Sequence, residues 1–188
     1  TRADAADTEY ILNGNKMWIT NGSIADVAVV WAQCDGEISG FLVEKDTPGF
    51  SSTIQKGKWS LRTSDTAELH LEDCRVPKDC RLPKTTGLKA PLMCLNQARY
   101  GIAWGAVGAA MACYSEALNY AGSRIQFGSP ISSYQLVQQK LVDMLSAITA
   151  SQLRCQRLGR LKEGGSVRPQ QISLAKRDNV AMALECAR

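Results

Sequence analysis

"LPKTTGLKAP", residues 82–91, marks the point where the chain changes its period. Upstream of it, short apolar runs are separated by turn residues. Downstream, apolar residues recur every three to four positions. The first pattern belongs to strands and the second to helices. The chain therefore divides into a strand-built part, residues 1–84, and a helical part, residues 85–188. The expected class is α+β: a small antiparallel β-barrel or sandwich domain, then an antiparallel helical bundle.

Working back from the boundary, residues 8–76 read as strands. "TEYILNGNKMWIT" (8–20) is two short runs around Asn13-Gly14, a dipeptide favoured in two-residue hairpin turns. "DVAVVWAQ" (26–33) is apolar and β-branched, and Asp35-Gly36 turns it into "EISGFLVEK" (37–45). "TPGF" (47–50) turns the chain again. "TAELHLEDCRVP" (66–77) alternates through Leu69 and Leu71. Working forward, one helix is expected near 92–123, broken by "GSP" at 128–130. A second runs near 132–162, with Val137, Leu141, Met144, Leu145, Ile148, Cys155 and Leu158 on one stripe. "EGG" at 163–165 ends it, and Pro169 suits the first turn of a third helix.

Composition narrows the function classes. Of 188 residues, 45% are apolar and 21% charged, which is globular usage. The net charge of +4 comes without a basic run, which points away from nucleic acid. Seven scattered cysteines form no CxxC pair, and His70 is the only histidine, so no metal site is expected. The cysteines read as reduced thiols, several of them small core residues. The longest uncharged run, Tyr100 to Ser115, is too short to span a bilayer. A lone histidine in a strand pattern leaves no Ser-His-Asp set, and His70 reads as structural or solvent-facing. No GxGxxG or P-loop occurs, and Asp65 and Glu68 read as solvated. The absence of an initiator Met, and an end in mid-helical pattern, lead us to expect a piece of a longer protein.

Three stretches carry candidate chemistry. In "CLNQARYGIAWGAVGAAMACY" (94–114), Gly101, Gly105, Gly108 and Ala112 share one helix face. Each glycine costs the helix roughly 1 kcal/mol relative to alanine, so close packing against a neighbour is expected there. Arg99, on another face, reads either as a surface arginine or as a cation fixed in a pocket. In "KMWITNG" (16–22), Trp18 and Thr20 are two apart on a strand and so share a side. An indole beside a hydroxyl can wall a flat heteroaromatic ring, although alone the commoner reading is a core tryptophan near a strand end. "SRIQFGSPISSYQ" (123–135) sets Arg124 at the end of one helix and Gln135 at the start of the next. Together they can grip a phosphate. Alone, Arg124 complements a helix C-terminus and Gln135 is solvated.

Taken together, these pieces resemble the acyl-CoA dehydrogenase family along essentially the whole chain. "LNGNKMWITNG" (12–22) resembles that family's flavin-stacking strand. "RIQFGSPISSYQLVQQKLVDM" (124–144) resembles its Arg-x-x-Phe-Gly…Gln segment. "CLNQARYGIAWGAVGA" (94–109) and "GKWSLRTS" (57–64) look most like its glutaryl-CoA branch. The resemblance implies a central β-domain, incomplete at its start, joined to the first two helices and part of the third of a C-terminal bundle. It implies FAD as cofactor, with Trp18, Ile19 and Thr20 against the isoalloxazine. Arg124, Phe127 and Gln135 would reach the pyrophosphate region of a neighbouring subunit's flavin. Leu95, Asn96, Gln97, Ala98 and Arg99 would line the acyl-CoA site, Asn96 standing where other members carry an acidic residue.

The implied reaction is α,β-dehydrogenation of an acyl-CoA. In the glutaryl-CoA branch this means oxidation and decarboxylation to crotonyl-CoA, in lysine and tryptophan degradation, with electrons leaving to an electron-transfer flavoprotein. A homotetramer is implied, in the mitochondrial matrix of a eukaryote or the cytoplasm of a bacterium. No catalytic residue is expected among residues 1–188, because the family's glutamate lies in a "YEGT"-type motif further on. The N-terminal helical domain and a flavin loop would precede Thr1, so residues 1–188 alone are expected to be inactive and to hold FAD weakly. Two alternatives stay open: an acyl-CoA oxidase that hands electrons to oxygen, and a non-catalytic relative that keeps the fold for binding or assembly.

Overall fold

The computed structural model describes all of residues 1–188, in two compact units, Thr1–Leu92 and Met93–Arg188. The first unit holds β1 (Arg2–Ala5), β2 (Glu9–Thr20), β3 (Val27–Cys34), β4 (Glu37–Glu44), β5 (Phe50–Ile54) and β6 (Thr66–Pro77). They form one six-stranded sheet in the order β4-β3-β1-β2-β6-β5. Every pairing is antiparallel except β1 with β3, so the sheet is mixed. The sheet is strongly curled. Tyr10 on β2 meets Phe41 on β4 edge-on, with ring centroids 5.1 Å apart. In a flat sheet those strands would lie roughly 14 Å apart. After β6 the chain returns to β4: Arg81 bridges Phe41, Leu82 N donates to Gly40 O, and Gly87 N donates to Ile38 O. The Arg81 guanidinium donates to Tyr10 Oη (3.1 Å) and Ser39 Oγ (2.9 Å), pinning that closure from within. Leu12, Val30, Phe41, Val43, Leu71, Cys74 and Val76 fill the curl. Phe41 with Val43 and Cys74 with Val76 follow the period of two, and the three-residue step from Leu71 to Cys74 falls at the slip in the β2–β6 ladder.

The Asp35-Gly36 turn joins β3 to β4 as expected. Both residues have positive φ (50° and 82°), and Cys34 faces Glu37 across a two-residue loop. Asn13-Gly14 is not a turn. β2 runs straight through it as a single strand, and the ladder to β6 slips between Leu12 and Gly14. The reason is local. Asn13 trades its turn role for a cross-strand pair: its Nδ2 donates to Asp73 Oδ1 (3.0 Å), and its Oδ1 accepts from Asp73 N (2.8 Å). Gly14 has φ +132°, and a Cβ there would lie 2.8 Å from the Thr1 Cα. Glycine serves close approach of the first residue rather than chain reversal. β1, which the sequence pattern did not signal, occupies the space beside it.

The second unit holds most of α1 (Lys89–Ser123), then β7 (Ile125–Gln126), β8 (Ser129–Pro130), α2 (Gln135–Glu163) and α3 (Pro169–Ala187). α1 and α2 are antiparallel. The Tyr100 ring lies 5.7 Å from Lys162 Nζ, whereas Met111 Sδ, further along, meets Gln152 (3.2 Å). Two basic residues, Arg160 and Lys162, sit in the last turn of α2, where they complement its dipole. α3 opens with Pro169 at its first position, and Gln171 Oε1 accepts from Arg168 N (2.8 Å). Ala103, Val107, Cys155, Leu158 and Ala175 form the core.

Asn179 is fully buried within this core and ties all three helices. Its Nδ2 donates to Ala103 O and Cys155 Sγ, both at 3.0 Å, and its Oδ1 accepts from Arg154 (2.9 Å). On α2 the expected stripe holds through Ile148, Cys155 and Leu158. Leu145 falls off it and is exposed, while Ser151 is buried in line. The glycine face of α1 is not packed against a neighbour within the chain. A Cβ at Gly101, Gly105 or Gly108 would meet nothing within 4 Å. The buried face is instead Ala103, Val107 and Ala110. No helix is long and apolar enough to cross a membrane.

Candidate functional site

Trp18 and its neighbours lie at the end of β2, where the ladder slips a second time. Lys16 pairs with Leu69 and Ile19 with Ala67, so β2 carries one residue more than β6 across that interval. Such a bulge turns a side chain away from the regular pleat. Trp18 has φ +60°, a left-handed conformation that costs a non-glycine residue about 1–2 kcal/mol. The residue is 63% exposed. Within residues 1–188 the indole is therefore not a core side chain. The bulge also removes the simple argument that positions 18 and 20 share a side because they are two apart. Thr20 is exposed opposite Thr66, and Ile19 is half-buried.

The turn after Thr20 is held firmly. Asn21 N donates to Asp65 O (3.1 Å). The Asp65 carboxylate accepts from Ser23 Oγ (2.6 Å) and Ser23 N (3.1 Å). These bonds, the hydroxyl's first, hold the Asp65 carboxyl below the usual carboxylate range. Asp65 is thus not merely solvated, as its sequence context suggests; it is the clamp on the turn that leaves the Trp18–Thr20 segment. No local sequence signal joins residues 42 positions apart. Ile19 and Thr20 also line a cavity of about 250 Å³ with Lys16, Val29, Phe50 and Leu69. Lys16 Nζ donates to Trp31 O (2.6 Å), and burial lowers its pKa from the ordinary lysine value.

The helical unit places the other candidates in two groups. Leu95, Asn96, Gln97, Ala98 and Arg99 follow one another near the start of α1. Leu95, Gln97 and Ala98 are exposed, and Asn96 and Arg99 half-buried. Arg99 takes part in no ion pair. Arg124, Phe127 and Gln135 surround the β7–β8 hairpin. Ile131 N donates to Arg124 O (2.9 Å), and Tyr134 Oη donates to Gln126 O (2.8 Å), so the loop is rigidly folded. Phe127 stands at its tip, 88% exposed with φ 51°, its ring edge-on to Tyr134 at 6.5 Å. Arg124 and Gln135 are exposed at the two ends of this loop. Their side chains do not bond each other, and Arg124 is in no ion pair.

A larger cavity, about 990 Å³, lies among α1, α2 and α3 beside Cys113, Met144, Met182 and Cys186, and it contains none of the predicted residues. All seven cysteines are free thiols; Cys34, Cys74 and Cys155 are buried, and burial pushes each of these thiols up. His70 is half-buried on β6 and shares a hydrogen bond with Thr53 Oγ1 (3.1 Å).

Comparison with known proteins bears on these surfaces. The family model "Acyl-CoA dehydrogenase, middle domain" matches residues 1–74, and "Acyl-CoA dehydrogenase, C-terminal domain" matches residues 85–188. The chain is 38% identical over 178 residues to the mitochondrial 2-methylacyl-CoA dehydrogenase of Solanum tuberosum, covering 92% of this chain and 43% of the relative. It is 38% identical over 182 residues to the mitochondrial short-chain specific acyl-CoA dehydrogenase of Homo sapiens, covering 94% and 44%. A crystal structure of glutaryl-CoA dehydrogenase from Mycobacterium smegmatis superposes with TM-score 0.97 at 53% identity, covering all of this chain and 49% of that one. A structure of a glutaryl-CoA dehydrogenase from the same organism in complex with FADH2 gives TM-score 0.98 at 50% identity, with the same coverage. The chain thus spans a little under half the length of these proteins.

Proposed function

Because the chain belongs to the acyl-CoA dehydrogenase family, we propose that it supplies the flavin wall and part of the acyl-CoA wall of a dehydrogenase that oxidises acyl thioesters between Cα and Cβ. The observation that carries this is Trp18: an open indole in a left-handed bulge, next to an exposed threonine hydroxyl. Strain of that kind persists where surrounding structure imposes it, and it gathers at ligand sites. The residues present fit FAD. Trp18 and Ile19 offer a flat apolar face to its ring system, Thr20 a hydroxyl to a ring edge, and Arg124 with Gln135 an unpaired guanidinium and amide to its diphosphate. Phe127 covers the approach to that diphosphate. In this proposal the hairpin serves the flavin of a neighbouring subunit in a homo-oligomer.

When bound, FAD supplies the acceptor for the hydride that leaves the β-carbon. Leu95–Arg99 form one wall for the thioester. Arg99, without a carboxylate partner in the chain, stabilises negative charge that develops when the α-proton is removed. The base for that proton is assigned outside residues 1–188. Glutaryl-CoA is the proposed substrate, with decarboxylation following oxidation. Supporting it, the two Mycobacterium smegmatis glutaryl-CoA dehydrogenase structures are 50–53% identical, against 38% for the short-chain and 2-methylacyl relatives, while a glutaryl-CoA dehydrogenase with glutaryl-CoA bound is 30% identical. An electron-transfer flavoprotein is the proposed acceptor.

The test uses the full-length flavoprotein under anaerobic conditions. Glutaryl-CoA should bleach the flavin absorbance faster than butyryl-CoA or isovaleryl-CoA and release carbon dioxide. In air, little peroxide should form. Bleaching only by monocarboxylic thioesters would overturn the substrate assignment, and stoichiometric peroxide would make the protein an oxidase. No bleaching by any acyl-CoA would leave a non-catalytic relative.

A further inference from the structure

The 250 Å³ cavity beside Thr20 has a chemistry that flavin binding does not use. Its walls are apolar: Ile19, Val29, Phe50 and Leu69 among them. No aspartate or glutamate lines it, and its single charged group is Lys16. The amine is half-buried and donates to the Trp31 carbonyl at 2.6 Å. A neutral amine held in this way keeps its lone pair free. Burial lowers the Lys16 pKa from its ordinary value and so favours that neutral form. Lys45 is the opposite case: its hydrogen bond and ion pair with Asp26 raise its pKa and favour the ammonium. An amine of lowered pKa in an apolar pocket is a nucleophile.

We infer that Lys16 is a site of N-acylation by short, uncharged acyl thioesters, the acyl tail lying in the adjoining cavity. This rests on the proposal that the protein handles acyl-CoA, which brings the electrophile. The deprotonated Nζ attacks the thioester carbonyl carbon. A C–N bond forms, the C–S bond breaks, and the proton lost from nitrogen goes to the departing thiolate. Nothing is oxidised or reduced. The new amide N–H can still donate to Trp31 O, so the hydrogen bond survives, and the product can no longer take up a proton in the apolar site. The apolar walls set the preference. A four-carbon chain covers them better than acetyl does, and a glutaryl carboxylate would find no cation inside once Lys16 Nζ is acylated, only neutral groups such as the Thr20 hydroxyl.

The test incubates the full-length flavoprotein with acetyl-CoA, butyryl-CoA or glutaryl-CoA and follows site occupancy by peptide mass spectrometry. Exposed Lys56 serves as the comparator. Butyryl-Lys16 should accumulate severalfold faster than butyryl-Lys56, acetyl-Lys16 or glutaryl-Lys16. Lys56 should show no such preference among the three thioesters. K16R, which keeps a donor for Trp31 O but has no amine that can lose its proton, should abolish the adduct. Equal rates at Lys16 and Lys56, or no chain preference at Lys16, would overturn the inference. Flavin bleaching run in parallel separates the two proposals. Bleaching without the adduct sinks this one alone, and the adduct without bleaching sinks the dehydrogenase reading alone.

Discussion

Trp18 shows how far a residue can be read before its conformation is known. Its type, beside a threonine on an apolar strand, suggested a ring wall; its left-handed backbone and its exposure came only from the bulge against β6. That slip depends on how residues 66–69 pair, which the local pattern does not encode. The conformation separates a functional role from a packing role. Trp18→Gly should leave the thermal stability of the flavin-free protein unchanged or raised, because glycine relieves about 1–2 kcal/mol of left-handed strain and little buried surface is lost. The same variant should lose FAD on gel filtration. A collapse of the flavin-free protein would instead make Trp18 a core residue. Asp65 was illegible for a related reason, since its partner Ser23 is 42 positions away in the chain. Its pKa is lowered in the folded state by the two Ser23 hydrogen bonds. It therefore contributes stability above the unfolded carboxylate value, about pH 4, and that contribution is lost as pH falls through the folded value. Asp65→Asn should melt earlier at neutral pH and show a shallower fall in melting temperature on acidification. An unchanged acid limb would remove Asp65 from this role.

Among elements, the helices were the more legible, because a 3.6 period sustained over some 20–35 residues outweighs local noise. Their ends were also marked, by Pro169, by Gly164 and by the β7–β8 turn. The strands were harder to read. Asn13-Gly14 carried the composition of a turn, yet β2 passes through it, because tertiary pairing with Asp73 and contact with Thr1 outweighed local preference. The glycines of α1 are packed against nothing within residues 1–188. Close packing remains the economical explanation for their propensity cost, and within this chain the surface they form is open. This gives a paired experiment on the 188-residue chain. Gly105→Ala should stabilise it by about 1 kcal/mol in urea. Gly159→Ala gains the same propensity, but its Cβ would lie 3.0 Å from Tyr100 Oη, so that ring must move and the gain should vanish. Equal stabilisation by both would show that the Tyr100 contact costs nothing.

For the molecule as a whole, the proposed site residues fall in both units. Trp18–Thr20 belong to the sheet unit, and Leu95–Arg99 and the Arg124–Gln135 hairpin to the helical unit. Residue patterns exposed each piece, but the common purpose proposed for them rests on family resemblance, since none is distinctive by itself. Residues 1–188 expressed alone should therefore retain FAD poorly and fail to turn over glutaryl-CoA. Reconstitution to a yellow, active form would refute the division of labour proposed for this chain. α1 adds a practical corollary. Leu92, Met93, Leu95, Ile102, Trp104, Met111, Leu118 and Tyr120 are all exposed along it. Exposed apolar side chains in that number, Met93, Trp104, Met111 and Leu118 on one side of the helix and Leu95, Ile102 and Tyr120 on the other, invite association. A solution of the 188-residue chain should light up an environment-sensitive dye and scatter more light as it is concentrated, and its handling should improve with mild detergent.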